Sequence, residues 1–275
     1  MIFFVTALDC EAKPLIKAFQ MKLMGGHGRA QFFGGDGVAL VVTGVGSMRS
    51  AIGTTALGMS LASATNSVWL NVGICGHGKL DLGEAVIATK ISSSTTRESI
   101  YPQCPWTVPW KGSHVKTLHY PSNEYEESIA FDMEAYGFYE AALRFSPSEC
   151  IQSIKIVSDN QQHPADRKFD KNRISELIER HIDDLISCSK TAAQFSKIYK
   201  SPRWIDAIVE EATKNQGFTA TQRIQLQKKL GQWSRLSEEE EPKTIRDLID
   251  NAASKKEILS RLEDEIQGLA EKKLG

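Results

Sequence analysis

Features typical of membrane, disulfide-bonded or metal-dependent proteins are missing from this sequence. Its 275 residues contain no run approaching about 18 consecutive apolar side chains, which argues against a membrane-spanning helix. The five cysteines are odd in number, widely spaced and without a Cys-x-x-Cys pair, so we expect neither a disulfide framework nor a zinc site. The six histidines include no His-x-x-x-His pair. We therefore predict no metal ion and no other cofactor.

Net charge is also nearly absent. The chain carries 33 Lys and Arg against 34 Asp and Glu, a formal charge of −1. The surface as a whole therefore offers no positive field for nucleic acid or an anionic membrane. The first residues, MIFFVTALDC, lack a basic leader and are typical of a β-strand rather than a signal peptide. We expect a cytoplasmic protein that binds neither nucleic acid nor membrane.

Glycine and charge are distributed unevenly along the chain. Residues 1–190 hold 16 of the 20 glycines, with 18 basic and 20 acidic residues, whereas residues 191–275 hold four glycines, with 15 basic and 14 acidic residues. This difference predicts an α/β domain over 1–190 followed by an all-helical domain over 191–275. The apolar faces of the predicted C-terminal helices would pack within the chain or bind a partner protein. These helices are Arg203–Asn215, Thr219–Leu236, Lys243–Ala253 and Lys255–Lys273.

Apolar runs alternate with helical patterns in residues 1–190, which indicates a layered α/β fold. The predicted strands are Ile2–Ala7, Val38–Val42, Val68–Val72, Glu84–Thr89 and Ile154–Val157. The predicted helices are Ala12–Phe19, Ser47–Ala62, Asp132–Phe145 and Asn172–Ser187. The polar, proline-containing stretch 92–130 is expected to be mostly loop, with a strand around Ser113–Tyr120.

Acidic side chains and glycines follow several of these strands. Glu11 lies beyond the first strand, Glu134 lies at the start of a predicted helix, and Asp159 ends an apolar strand. Carboxylates on one rim of a sheet can act as acid, base and hydroxyl ligand, although helix capping or solvation would explain each one alone. The segment Gly73–Gly78 is predicted as a loop that lets backbone approach a ligand.

In combination and in order, these segments resemble the nucleoside phosphorylase/nucleosidase superfamily, and most of all the methylthioadenosine/S-adenosylhomocysteine nucleosidases. The matching stretches are Ala7-Leu8-Asp9-Cys10-Glu11, Thr43-Gly44-Val45-Gly46, Asn71-Val72-Gly73-Ile74-Cys75-Gly76, Gly83-Glu84-Ala85-Val86-Ile87, Phe131-Asp132-Met133-Glu134-Ala135 and Val157-Ser158-Asp159. The resemblance covers about residues 1–190 and implies a catalytic domain with a three-layer α/β/α fold and a mixed central sheet.

The resemblance also implies roles. Glu11 would activate the attacking water, Glu134 would bind the ribose hydroxyls with Met133 packing on the sugar, and Asp159 would support protonation of the purine at N7. Further substrate-binding positions implied in this way are Gly76, Ile74, Ser158 and Lys155. The implied reaction is hydrolysis of a 5′-modified adenosine such as methylthioadenosine, S-adenosylhomocysteine or 5′-deoxyadenosine. The implied assembly is a homo-oligomer, most often a dimer.

Some residues depart from the family pattern and leave alternatives open. Ile74 stands where these nucleosidases usually have serine, and Lys155 stands where they have arginine. Asn71 occupies the strand on which phosphorylase relatives carry a phosphate-binding arginine, which favours hydrolysis over phosphorolysis; Arg49 is another candidate for holding phosphate. The alternatives are a phosphate-dependent phosphorylase and a catalytically degenerate nucleoside or nucleotide sensor with a helical interaction module.

The segment 120–130 is shorter than its counterpart in the family. The aromatic residue that would stack on the base is not identified by the sequence. Tyr120 and Tyr125 are the candidates, and ordinary packing would also explain both.

Overall fold

The protein is described by a computed structural model over residues 1–61, 67–165, 170–199, 202–237 and 243–274. It divides into two compact units, Met1–Ile198 and Tyr199–Gly275. No helix within these ranges is long and apolar enough to cross a membrane.

The first unit is built on a mixed sheet of ten strands. Their order is β10-β6-β8-β9-β5-β1-β4-β3-β2, with β7 paired to β6. The strands are β1 Ile2–Thr6, β2 Lys22–His27, β3 Ala30–Gly35, β4 Val38–Val42, β5 Val68–His77, β6 Ala85–Ser93, β7 Ser99–Ile100, β8 Lys111–Thr117, β9 Ile129–Asp132 and β10 Ile151–Asn160.

In the part of this unit that the structure describes, five α-helices cover the two faces of the sheet. They are α1 Asp9–Ala18, α2 Ser47–Ser60, α3 Ala135–Ala142, α4 Lys171–Glu179 and α5 Ile182–Phe195. Side chains alternate between the faces of a strand, so Phe4 packs in a core with α1, α4 and α5, whereas Phe3 packs in a second core with α2 and α3. The predicted α/β/α fold with a mixed central sheet is confirmed.

One part of the sheet closes on itself. β10 pairs in parallel with β5 and antiparallel with β6. β9 pairs with β5 on one side and β8 on the other, and β8 pairs with β6. The strands β5, β10, β6, β8 and β9 therefore form a ring, which brings the ends of β5, β9 and β10 together.

The structure corrects three of the predicted elements. Gly73 to His77 belong to β5 rather than to a loop, because β10 and β9 pair with this stretch on both sides. Asp132 ends strand β9, and the helix that was predicted to begin there begins at Ala135. The single helix predicted over Asn172–Ser187 is two helices separated at residues 180 and 181, where the His181 ring contacts the Gly83 carbonyl at 2.7 Å.

The second unit contains α6 Arg203–Gln216, α7 Ala220–Leu236, α8 Lys243–Asp250 and α9 Lys255–Leu274. Gly217 ends α6 in a left-handed conformation, and the Thr219 hydroxyl accepts a hydrogen bond from the Gln222 N–H at the start of α7. The apolar faces of these helices form a core of their own that includes Trp233, while Ile224 stays 67% exposed. The expected division at residue 190 falls inside α5, and as a functional boundary it stays a prediction.

Candidate active site

A cavity of about 340 Å³ opens beside β5, β9 and β10. Seven of the eight residues predicted for the site line this cavity, namely Glu11, Ile74, Gly76, Met133, Glu134, Ser158 and Asp159. The eighth, Lys155, is fully buried and reaches a carboxylate of the site instead. The structure thus brings together residues from α1, from strands β5 and β10 and from the short segment between β9 and α3.

The Glu11 carboxylate is held by backbone donors. Its Oε2 accepts hydrogen bonds from the N–H groups of Ala7 and Leu8, each at 2.9 Å. Its Oε1 accepts from the Ile74 N–H on β5, also at 2.9 Å. Burial raises the pKa of Glu11, and the N–H of Ile74 and the charge of Lys155 oppose that shift. A buried carboxyl whose pKa is raised in this way is suited to accept a proton.

Gly73 makes this position of Glu11 possible. A Cβ on Gly73 would lie 2.8 Å from Glu11 Oε1, closer than a Cβ normally approaches another atom. The close approach of the Glu11 carboxylate to β5 therefore explains why residue 73 is a glycine.

Asp132 and Lys155 form an ion pair that lies behind the cavity wall. Lys155 Nζ is 2.8 Å from Asp132 Oδ2, and neither side chain has exposed surface. Asp132 also accepts hydrogen bonds from the N–H groups of Glu134 and Ala135 and from the Thr117 hydroxyl. Burial lowers the pKa of Lys155, but the neighbouring carboxylates outweigh burial and raise it overall. Lys155 therefore keeps its positive charge at neutral pH.

Glu134 is the carboxyl of this group whose charge changes near neutral pH. Its Oε1 accepts a hydrogen bond from the Gly46 N–H at 2.8 Å. Burial raises the pKa of Glu134 to about 7; Lys155 opposes this shift, while Asp132 and Glu11 add to it. Three carboxylates therefore share one buried lysine.

Asp159 is held by side-chain hydroxyls. Its Oδ1 accepts from the Ser158 hydroxyl at 2.5 Å and its Oδ2 from the Tyr125 hydroxyl at 2.8 Å. A Cβ on Gly76 would lie 2.7 Å from Asp159 Oδ2 and 2.9 Å from the Tyr125 ring. Gly76 therefore allows both groups to approach β5.

Sequence reasoning missed parts of the wall and of its support. Phe131 is the aromatic ring among the described lining residues, and Leu118 lies near it in the same wall. Tyr120 is 74% exposed on the surface, whereas Tyr125 reaches Asp159. In the sequence, Phe131 directly precedes Asp132 of a matching motif. This adjacency is the signal that could have indicated that Phe131 lines the cavity.

The structure also places Cys75, which belongs to one of the matching motifs, and Arg49, the candidate for holding phosphate. Cys75 is buried, and burial raises the pKa of its thiol well above the usual range, so it stays protonated. Arg49 is exposed, with its side chain near Gly44. Within the described ranges, no group of three or more His, Cys, Asp or Glu side chains is arranged to hold a metal ion.

Comparison with protein-family models gives no match, and comparison with curated proteins gives none. Solved structures do match. The Helicobacter pylori 5′-methylthioadenosine/S-adenosylhomocysteine nucleosidase, bound to butyl-thio-DADMe-Immucillin-A, has a TM-score of 0.56 and 13% identity over 69% of this chain and 97% of its own. For the Arabidopsis thaliana 5′-methylthioadenosine nucleosidase, the TM-score is 0.52 and the identity 16%, over 71% of this chain and 95% of its own.

A futalosine hydrolase mutant from Helicobacter pylori is also similar, with a TM-score of 0.54 and 11% identity over 69% of this chain and 98% of its own. At these identities the likeness concerns the fold. Over the part that these structures cover, the chain has the fold of the nucleoside phosphorylase/nucleosidase superfamily, as found in the methylthioadenosine/S-adenosylhomocysteine nucleosidases.

Proposed function

We propose that this protein is a purine nucleosidase that hydrolyses the N-glycosidic bond of a 5′-modified adenosine. The observation that carries the proposal is that Glu11, Glu134 and Asp159 line one cavity of about 340 Å³. Cleavage of this bond builds positive charge on the sugar and negative charge on the departing base. Three separately held carboxyl groups meet these demands as a base, a sugar ligand and an acid.

In the proposed reaction, water attacks C1′ of the sugar as the bond from C1′ to the purine nitrogen breaks. Glu11 accepts a proton from the water, whose oxygen stays on the sugar. Asp159 passes a proton to N7 of the purine, which leaves as the free base carrying the electron pair of the broken bond. Solvent then returns the proton from Glu11 to Asp159. General acid–base steps of this kind contribute about 10²–10⁴-fold each.

The sugar would lie against Glu134 and Met133. The Glu134 carboxylate can accept hydrogen bonds from the ribose hydroxyls on the side that faces the cavity, while its Oε1 is anchored by the Gly46 N–H. Met133 is half-buried in the same wall and offers an apolar surface to the sugar ring. Phe131 supplies the ring for contact with the base.

Water is the proposed acceptor rather than phosphate. The apolar side chain of Ile74 lines the cavity, and an apolar wall does not compensate the desolvation of a phosphate anion. Buried Lys155 is already paired with Asp132. Phosphate-dependent release of a sugar 1-phosphate would establish the phosphorylase alternative instead.

The test is chromatography of a nucleoside panel incubated with the purified protein, with and without phosphate. The panel comprises methylthioadenosine, S-adenosylhomocysteine, 5′-deoxyadenosine, adenosine and inosine. We expect phosphate-independent release of free purine, reduced at least about 10²-fold in both Glu11→Gln and Asp159→Asn. Asp9→Asn is the matched control, because Asp9 lies near Glu11 in α1 but is exposed.

Full activity in Asp159→Asn would contradict the proposed mechanism. Thermal stabilisation by a nucleoside without turnover of any panel member would contradict hydrolysis and favour the sensor alternative. The panel also decides the 5′-substituent.

We further propose that the protein is a homo-oligomer. Met48, Ile52 and Met59 recur at helical spacing on α2 and are 78%, 62% and 76% exposed, an apolar stripe of the kind that association covers. Sedimentation analysis should show a dimer, and Met48→Lys combined with Met59→Lys should shift it toward monomer. A monomeric wild-type protein at micromolar concentration would reject this assembly.

We also propose that the protein is located in the cytoplasm. The five cysteines are free thiols in the structure, which suits a reducing compartment. Cell fractionation tests this, and recovery outside the cytoplasm would reject it. Binding of a partner protein through residues 191–275 stays a prediction that affinity capture of the full chain would address.

A further inference from the structure

The Tyr125 side chain joins three separate segments of the chain. It lies between β8 and β9, and its hydroxyl donates a hydrogen bond to Asp159 Oδ2 on β10 at 2.8 Å. The same hydroxyl accepts a hydrogen bond from the N–H of Ala165, which follows β10, at 3.1 Å. The hydroxyl is therefore oriented from one side by a backbone donor and directed at the carboxylate on the other.

The ring of Tyr125 is in close contact with strand β5 at Gly76. Its Cε1 would lie 2.9 Å from a Cβ at Gly76, so the ring lies directly on the glycine of β5. Tyr125 is only half-buried, so packing alone does not account for so specific a contact. The contact with Gly76 determines where the ring lies, and the hydroxyl on that ring is hydrogen-bonded to the Asp159 carboxylate.

The carboxylate keeps capacity for a ligand after these contacts. An ionised carboxylate offers about four acceptor positions on its two oxygens. Ser158 uses one position on Oδ1 and Tyr125 uses one on Oδ2, so each oxygen retains acceptor capacity, and Asp159 lines the cavity. Burial, with a further contribution from Asp159, raises the pKa of Tyr125 to about 12, so the phenol remains a donor at neutral pH.

We infer that Tyr125 is a positioning residue for Asp159, whose hydroxyl holds the carboxylate toward the cavity and stabilises the anion left when a proton has passed to the purine. The inference rests on the proposed function for the identity of the ligand. Charge-assisted hydrogen bonds are the stronger kind, so the contact favours the state in which Asp159 is ionised and the base carries the proton. The class of ligand that suits this arrangement is a purine whose N7 faces Asp159 and carries the proton once it has been transferred.

The experiment compares wild type with Tyr125→Phe, which keeps the ring and removes only the hydroxyl. Tyr120→Phe is the matched control, since it removes a hydroxyl from the same segment at an exposed position. The first readout needs no turnover. We expect the Asp159 carboxyl ¹³C signal, assigned by its loss in Asp159→Asn, to shift in Tyr125→Phe, and the Ala165 amide to exchange at least about 10-fold faster.

Neither signal should change in Tyr120→Phe. An unchanged Asp159 signal and unchanged Ala165 exchange in Tyr125→Phe would overturn the inference, whether or not the protein is an enzyme. Absence of turnover in wild type would instead overturn the proposed function and leave this readout to decide the role of Tyr125.

The second readout is steady-state hydrolysis of the best nucleoside of the panel. Loss of one hydrogen bond to a charged group should lower kcat about 10-fold while KM changes less than about 2-fold, because the contact strengthens as the proton moves. Faster turnover, or tighter binding of adenine, in Tyr125→Phe would mean that the hydroxyl competes with the base. Either result would overturn the positioning role.

Discussion

Glu11 and Asp159 reach the cavity beside two glycines of β5, Gly73 for one and Gly76 for the other, yet their partners differ in kind. Glu11 is fully enclosed, and its oxygens accept hydrogen bonds from three backbone N–H groups. Asp159 is half-buried and accepts from two side-chain hydroxyls. Backbone donors are fixed by the fold, whereas hydroxyls rotate and respond to a ligand.

The difference extends to the surroundings. Glu11, Asp132 and Glu134 share the charge of buried Lys155, so protonation of one carboxyl affects the others. Asp159 is supported instead by neutral donors. The carboxyl groups on the Glu11 side of the cavity therefore interact with a shared cation, whereas Asp159 is held by neutral hydroxyl donors. Substitutions on the two sides should differ in the size of their effect and in its pH dependence.

The largest effect is expected on removal of the shared cation. Lys155→Met leaves buried carboxylates without their partner and should lower the free energy of unfolding by about 3–5 kcal/mol. Urea denaturation at neutral pH measures this change. Lys17→Met is the matched control: its ion pair with Glu179 is exposed, and no measurable change is expected. Equal stability of the two variants would mean that the carboxylates do not depend on Lys155.

The second effect concerns pH. The pKa of Glu134 in the folded protein, about 7, lies above its ordinary value of 4.5, so the folded state binds this proton more tightly than the unfolded state. Its contribution to stability is therefore full below about pH 4.5 and is lost as the pH rises through about 7. Glu134→Gln removes this loss and should be more stable than wild type above pH 7, by about 3 kcal/mol at most.

Urea denaturation from pH 4.5 to pH 8 measures both profiles, with Asp9→Asn as a surface control. If Glu134→Gln and wild type lose stability in parallel as the pH rises, deprotonation of Glu134 is not the cause of the loss. Because Gln retains an oxygen for the Gly46 N–H, the anchor of this side chain is preserved.

The smallest effects are expected at the two glycines. Gly73→Ala crowds Glu11, which fixed backbone donors hold in place, and should cost about 1–2 kcal/mol of stability. Gly76→Ala crowds Asp159 and Tyr125, which can move toward solvent, and should cost less. Gly268→Ala on α9 has open space around its Cβ and is the control, with a gain of about 0.5–1 kcal/mol. A larger loss of stability in Gly76→Ala than in Gly73→Ala would mean that Glu11 adapts to crowding more easily than Asp159 and Tyr125 do.

Strongly apolar segments made much of the fold predictable from the sequence. Val38–Val42 has the bounds predicted for it, because five buried side chains in a row mark a strand covered on both faces. The hairpin of β2 and β3 was not predicted, since Lys22–His27 is exposed throughout and has no alternation. β5 was predicted five residues too short, because apolar patterning ends at Gly73 while pairing with β10 continues.

The candidate site was predictable where it lies in short contiguous motifs. Glu11, Glu134 and Asp159 each belong to a recognisable stretch, and the structure places all three around one cavity, although their roles stay predictions. The contact of Tyr125 with Asp159 spans 34 residues and depends on the path of a loop. Local sequence carries no signal for such a contact.

The closed ring of strands cannot form during synthesis until its last strand, β10, has been translated. β10 carries Asp159 and fills the gap between β5 and β6, so a nascent chain that ends before Ile151 exposes the unpaired edges of both strands. Such edges invite pairing with other chains. The order of translation therefore delays both closure of the ring of strands and assembly of the cavity until β10 emerges. We expect the risk of aggregation to be greatest in the interval before it.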